Sequence, residues 1–597
     1  MKYNTISVYF LILFFLATNV VFGADANLQA AQEENKSVMG DLDLEKVPYE
    51  WLSVISGRAL VEPVRTSYGW AASTDGRMIT AFSEEGVVLW QKSIPSAPEK
   101  FISASENDFL AVTLKNKRLA LVNPSGVVLW TAETGLQAAA APLFGRDGRI
   151  FVFAQDEAAC FGANGTRKWT AKIPAASKDL TPVELNDGSV LIFAEGLENG
   201  KTVGTRISPF GELLERIVFA DQIRTAFSVP DGALLSFADG TLGLCAVEKE
   251  SRATSSKWVI KDLALSATTT FENLESKVLV AAVSSSSSGT KVHIVNTGAA
   301  RIIRSFDIPE IKSANYVEYT MSGIFVADST SGALYSISGK KIRTVRFPKN
   351  SGRNSYDFVL FGHNGVAVFV AKSWKITGWK IVKGGSQDSA PKSKSGYEAF
   401  YSETPNDYSR MRGAPTASRK NALLSGDYAS EEKKFWKDAQ FVMAEYFTQR
   451  TSKNAPSQRG AEETPAEFSL DDQVAVISML GTFGTRDASN ILARVLGLEN
   501  DATVLRAALK SVQDFGYDPD LLIIGAIEQL IKKSSPKQEK LIAECCESLY
   551  SICRFMGRPA LYKKGRAIIS NLFLPQYSQS TKKSARNVYE KLAEIDL

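Results

Sequence analysis

Histidine is almost missing from this chain. Only His293 and His363 occur in 597 residues, 70 positions apart. That scarcity excludes a histidine-rich metal centre and any mechanism that passes protons through several imidazoles. Cysteine is nearly as rare, at five residues. An odd count in so long a chain does not describe the disulfide framework that staples small secreted domains. Neither sign of charge dominates: 69 basic side chains face 65 acidic ones, a formal net charge of +4. A dedicated nucleic-acid binder carries a larger basic surplus, so nucleic acid is not an expected partner. No P-loop or dinucleotide fingerprint stands at a strand-to-helix junction, and neither Cys-x-x-Cys nor His-Glu-x-x-His occurs. No cofactor, metal ligand or catalytic residue is assigned.

Long apolar runs are missing too, except at the start. Lys2 is the only charged residue among the first 23, and residues 8–21 read VYFLILFFLATNVV before the small residues Gly23, Ala24 and Ala26. The run is short for a membrane span and suits the core of an export signal over residues 1–23, cut after Gly23 or Ala26. The alternative is an uncleaved anchor. No cysteine stands near the cut, which disfavours a lipid anchor. Residues 24–50 carry seven acids against Lys36 and Lys46, a net −5, and read as an acidic, flexible leader. The expected location is the periplasm or cell envelope of a bacterium. The expected partners are other envelope proteins, with membrane association only through them.

What fills the chain is a repeat. ITAFSEEGVVLW ends at Trp90, LALVNPSGVVLW at Trp130 and AACFGANGTRKW at Trp169, spaced by 40 and 39 residues. Each copy is an alternating strand, a Gly-containing turn and a second strand running to tryptophan. Weaker copies cover 206–216, end at Trp258, and cover 293–306, 335–347 and 373–382. A second ladder of turns precedes β-rich runs: Asn107-Asp108, Asp147-Gly148, Asp187-Gly188, Asp231-Gly232, Ser322-Gly323 and Asn364-Gly365. Asp-Gly and Asn-Gly supply the positive φ of two-residue hairpins. Four strands in some forty residues describe a propeller blade rather than a sandwich. Eight blades fit between residues 54 and 383, with seven as the alternative.

This pattern resembles the quinoprotein-type (PQQ-like) propeller repeat. An exported propeller of this type is similar to the non-catalytic scaffold lipoproteins of bacterial outer-membrane assembly and, in fold only, to quinone-dependent alcohol dehydrogenases. The resemblance implies that the tryptophan packs between neighbouring blades, a structural docking role for Trp90, Trp130, Trp169 and Trp258. Glu215, Arg304 and Arg343 occupy that place in the fourth, sixth and seventh repeats, so docking there must differ.

From Gly384 the composition turns small and polar, and residues 384–424 read as a linker. Beyond 425 the period is helical. FWKDAQFVMAEYF covers 435–447, and six further helices follow, from DDQVAVISMLGTFG to ALYKKGRAIISNLF. Ser469 is placed to cap the first of these, with Gln473 near the capping-box position. Val504, Arg506, Ala508 and Leu509 resemble the core of a HEAT-type repeat, so residues 425–597 are expected to form an α-helical HEAT-like domain; an ordinary helical bundle is the alternative.

Cys545-Cys546 matches the neighbouring cysteines of quinone enzymes in composition only. The pair lies in the helical part, and adjacent helical side chains point about 100° apart. With Cys553 the pair reads as buried free thiols, Cys546 and Cys553 sharing one apolar stripe with Ile542, Leu549 and Met556. Ser284 to Ser288 reads as a hairpin loop, and Lys582-Lys583 as a solvated face. The function expected is a non-enzymatic interaction scaffold using propeller loops and a helical groove. The alternatives are a quinone-dependent dehydrogenase and a carbohydrate-binding propeller that stacks sugars on Trp374, Trp379, Tyr397 or Tyr401.

Overall fold

The structure is a computed structural model. It describes residues 40–382, with interruptions at 175, 178–179, 230, 249–252, 261–269, 275–276, 287–288, 297–300, 315, 321 and 351–354, and residues 469–595. The export signal, the linker and the helix expected at 435–447 lie outside the described residues. The fold is an eight-bladed β-propeller followed by an α-helical domain. Two compact units divide it. One, Leu52–Lys261 with Val370–Ile376 and Ala390–Leu597, contains the first five blades and the helices. The other, Met1–Trp51 with Asp262–Phe369 and Thr377–Ser389, contains the sixth and seventh blades and most of the eighth.

Blades one to seven are each built on a four-stranded antiparallel meander, and blade eight is a four-stranded sheet whose fourth strand comes from the start of the chain. Blade one spans 64–93, blade two 98–133, blade three 143–172, blade four 183–218 and blade five 223–260. Blades six, seven and eight span 270–308, 316–346 and 356–380. The middle strands read as continuous apolar runs because both their faces are covered. Leu110–Leu114 and Ile150–Phe153, for example, are buried at every position. The outermost strands of blades one, four and six are largely exposed instead, as in LLERIV of Leu213–Val218.

One irregularity recurs. In blades one to seven the pairing of the third and fourth strands slips by one residue, as between Ala81 and Phe82, Arg206 and Ile207, or Ile294 and Val295. A bulge of this kind bends the outer strand and re-aims the next side chain. The residue left over is Leu89, Leu214 or Ile303 in blades one, four and six, and these are 45%, 43% and 49% exposed. The residue just beyond it is Trp90, Trp130, Trp169, Glu215, Trp258, Arg304 or Arg343 in turn.

The leader departs from expectation. Leu42–Asp43 pairs in parallel with Val345 and Arg346, adding a fifth strand to blade seven. Leu44 is buried beside Phe347, and Trp379 Nε1 donates to Val47 O at 3.3 Å. Trp51–Val54 is the outer strand of blade eight. The net acidity of 24–50 hid these few apolar anchors, so its described part, residues 40–50, is not a solvated tail. The serine run is corrected as well: Ser284, Ser285 and Ser286 continue a strand opposite Lys291, Thr290 and Gly289. Ladder pairing there outweighs the turn preference of serine.

Among the described residues seven helices follow: α1 Leu470–Phe483, α2 Arg486–Leu498, α3 Ala502–Phe515, α4 Leu522–Lys533, α5 Glu539–Met556, α6 Pro559–Ser570 and α7 Gln579–Ile595. The seventh was not expected. Its sequence is mostly polar, and only Thr581, Ala585, Val588 and Leu592 are buried along it. α1 packs on α3, α3 on α5 and α5 on α7, while α2 packs on α4, giving two rows. Ser469 caps α1, but Asp472 rather than Gln473 completes the box. Buried serines tie the first row: Ser511 Oγ donates to Ile477 O at 2.8 Å and Ser548 Oγ to Leu509 O at 3.0 Å. α1, α3 and α5 each end on a left-handed glycine, Gly484, Gly516 and Gly557, which releases the chain from the helix without a Cβ penalty.

Candidate functional site

The bulges aim the tryptophans along the ring. Trp90 Nε1 donates to Pro124 O at 2.8 Å, Trp130 Nε1 to Ala163 O at 2.7 Å and Trp169 Nε1 to Pro209 O at 2.8 Å. Each acceptor lies in the hairpin turn of the next blade. Each indole lies against the turn glycine two residues on, Gly126, Gly165 or Gly211, where a Cβ would fall 2.6–2.8 Å from the ring. Trp258 holds the same register position opposite Leu244; its side chain is not among the described ones. Arginine replaces the indole with the same chemistry: Arg304 Nη1 donates to Ser338 O at 2.6 Å and Arg343 Nη1 to Ile381 O at 2.7 Å. Glu215 inverts it, accepting from Thr254 N at 3.0 Å while pairing with Arg206.

The same turns in blades two and three hold the helices. A helix leaves its last carbonyls without intrahelical donors. Asn164 Nδ2 donates to Gly481 O and Thr482 O at the end of α1, and Lys168 Nζ donates to Thr482 O at 2.7 Å. Asn123 Nδ2 donates to Arg554 O and Phe555 O at the end of α5, and Ser125 Oγ donates to Gly557 O. Lys168 also complements the negative pole of the α1 dipole. At the end of α3, Tyr517 covers Gly148, and Phe109 packs against Tyr517 and Phe555. Arg486 N donates to Asp147 O at 2.7 Å, and Arg558 reaches Asn107 at 2.9 Å. One apolar core runs from Phe109, Leu121 and Phe161 into Phe483, Leu509 and Cys546.

Charge is buried around this joint. Arg486 forms a bidentate pair with Asp520. Glu184, 4% exposed, accepts from Arg146 N at 3.1 Å, and burial pushes its carboxyl up to about 8. Asp518, fully buried, accepts from Ile524 N at 2.9 Å and serves α4, whose own N-cap residue Leu521 has no capping side chain. Burial lifts Asp518 to about 6.

The two histidines remain separate residues of two blades. His293 is wedged between Ser284 Oγ at 2.9 Å and Ser305 Oγ at 2.8 Å, and burial lowers it to about 4. The five cysteines are buried and unpaired, and burial pushes Cys160, Cys245, Cys546 and Cys553 up to about 12, far from nucleophilic thiolates. Among the described residues no group of three His, Cys, Asp or Glu side chains is placed to hold a metal ion. Of the aromatics weighed for sugar stacking, Trp374 is 52% exposed and Trp379 is buried against Phe369; Tyr397 and Tyr401 lie outside the described residues. Asn123, Asn164 and Lys168 were not singled out from the sequence, where they read only as turn and strand residues; the repeat placed the turns without revealing what lands on them.

No family model and no curated protein matches the chain. Solved structures do resemble it. BamB from Moraxella catarrhalis matches with 12% identity and TM-score 0.35, over 55% of this chain and all of that one. Saccharomyces cerevisiae Sqt1 matches with 8% identity and TM-score 0.39, over 58% of this chain and all of that one. The Neurospora crassa Pan2 WD40 domain matches with 9% identity and TM-score 0.32, over 48% of this chain and 90% of that one. At such identities the likeness concerns the fold, and the propeller assignment rests on the eight sheets themselves.

Proposed function

We propose that this chain is an exported, non-enzymatic protein–protein interaction scaffold of the bacterial cell envelope. The observation that carries the reading is the joint: blade turns clamp the ends of α1, α3 and α5, so the first five blades and the helical array form one compact unit, with a continuous core from blades two and three into the helices. Such a body presents the outer blade strands and the remaining helix surfaces in fixed relation, which is what multi-site docking needs. Exposed apolar side chains on the outer strand of blade four, Leu213, Leu214 and Val218, offer contact area. We read the blades as PQQ-like repeats on the recurring bulge and tryptophan, the tryptophans as spacers between blades, and the two helical rows as HEAT-like. Export rests on the N-terminal sequence.

Crosslinking in intact envelopes, followed by purification of the mature chain, tests this. Specific protein partners lost on substitution of Leu213 and Val218 by aspartate are expected. Recovery of the chain alone, or dye-linked alcohol oxidation after addition of the quinone and calcium, would overturn it.

A further inference from the structure

The helices have two unlike ends. α1, α3 and α5 finish on the blade turns, and α6 starts there, with Tyr562 OH 3.3 Å from Ser125 Oγ. The opposite end gathers the close of α4, the start of α5, the close of α6 and the start of α7, about 27 Å away by the length of α5. Lys591 of α7 lies 3.7 Å from Glu547 of α5, and Gly565 of α6 lies against Cys553 and Leu592, which fixes this arrangement.

That far end is basic. Residues 567–589 hold Lys582, Lys583 and Arg586 and no Asp or Glu, and 529–543 hold four Lys and the single acid Glu539. Lys533, Lys537, Lys540, Lys583 and Arg586 are exposed, and their side chains form no ion pair among the described residues. Between α6 and α7 the chain projects Leu574, 48% exposed, followed by the exposed Pro575. Lys582-Lys583 is therefore part of a surface on which basic side chains outnumber acids.

We propose that this end of the helical domain lands directly on an anionic phospholipid bilayer. Lysines spread over several helix ends, with an apolar side chain at the tip, suit a flat anionic interface: the charges need only lie near the headgroup plane, and Leu574 enters the interfacial layer. A protein partner would need a matching shape as well as acidity. The inference stands apart from the scaffold reading and replaces the expectation that membranes are reached only through partners.

The test is co-sedimentation of the full chain with vesicles of equal parts phosphatidylglycerol and phosphatidylcholine, against pure phosphatidylcholine. The N-terminal form is the same in all proteins, so any contribution of the apolar run at residues 8–21 cancels in the comparison. The chain is expected to prefer anionic vesicles and to lose that preference in high salt. Lys537→Gln, Lys540→Gln and Lys583→Gln together should weaken it about 100-fold, at about fivefold per lysine. The corresponding Lys→Arg triple variant should bind like the parent, and Leu574→Ser should weaken binding roughly tenfold. Equal binding to both vesicles, or anionic preference retained by the Gln variant, overturns the proposal. So does lysine-dependent binding of poly-L-glutamate by a chain that ignores anionic vesicles, which would assign the surface to an acidic protein.

Discussion

Asn164, in a hairpin turn of blade three, donates its amide to the carbonyls of Gly481 and Thr482 at 3.2 and 3.3 Å, capping a helix that begins 306 residues later in the chain. The contact closes two accounts at once. The turn supplies a donor, and α1 loses the exposed carbonyls that would otherwise bar its end from an apolar interface.

Asn164→Ala is expected to destabilise the chain by about 1 kcal/mol, the cost of leaving the partly buried Gly481 O unsatisfied while Thr482 O keeps Lys168. Asn164→Asp should cost more, because it removes the donor and sets a negative charge at the negative end of the helix. Denaturant midpoints of the two variants give the order. Aspartate tolerated better than alanine would contradict the capping account.

The clamp at Gly148 is steric. Its φ is +84°, and a Cβ would fall 2.7 Å from the Tyr517 ring. Gly148→Ala should therefore cost roughly 2–3 kcal/mol, from left-handed strain plus overpacking. Tyr517→Leu should recover the packing part but not the strain, so a double-mutant cycle should show coupling of about 1 kcal/mol. Strictly additive costs would mean that the ring and the turn do not meet.

How far the sequence speaks depends on the range of the interaction. Blade number follows from a local rhythm: apolar runs such as RIFVFA and turns such as Asp147-Gly148 recur because each blade repeats the same local conflict between ladder and turn. The tryptophan positions are legible for the same reason. The substitution by Arg304 and Arg343 could be located but not explained, since a guanidinium and an indole share nothing in hydropathy and only their N–H donors coincide in space. Helix α7 escaped notice because four buried side chains in seventeen residues hardly disturb a polar composition. The joint was invisible altogether. Asn123 pairs with residues more than 400 positions away, and a turn asparagine looks alike whether it faces water or a helix end.

Between blades, Trp130→Phe keeps the ring against Gly165 and removes the N–H bond to Ala163 O. A loss of about 1 kcal/mol is expected, the net value of one hydrogen bond. Gly165→Ala drives a Cβ to 2.8 Å from the indole at φ +82° and should cost more than the phenylalanine change. Thermal unfolding of both variants checks the order. A Trp130→Phe loss of more than about 3 kcal/mol would show that the spacing depends on the indole's size rather than its donor.

Stability should also depend on pH through Asp518. Its carboxyl ionises near 3.8 in a solvated chain and at about 6 where it is buried behind Ile524. The folded state thus keeps a proton that the unfolded state releases. The contribution is complete below about pH 4 and is lost as pH rises through 6, amounting to roughly 3 kcal/mol at most. Glu184, raised from 4.5 to about 8 in the same way, acts in the same direction over a higher window. Asp518→Asn retains an acceptor for Ile524 N but cannot titrate. Its stability relative to the parent should therefore improve steadily between pH 4 and 7, measured by denaturant titration at each pH. A parent–variant difference that stays flat over that window, or changes in the opposite sense, would show that Asp518 is ionised in the folded chain throughout.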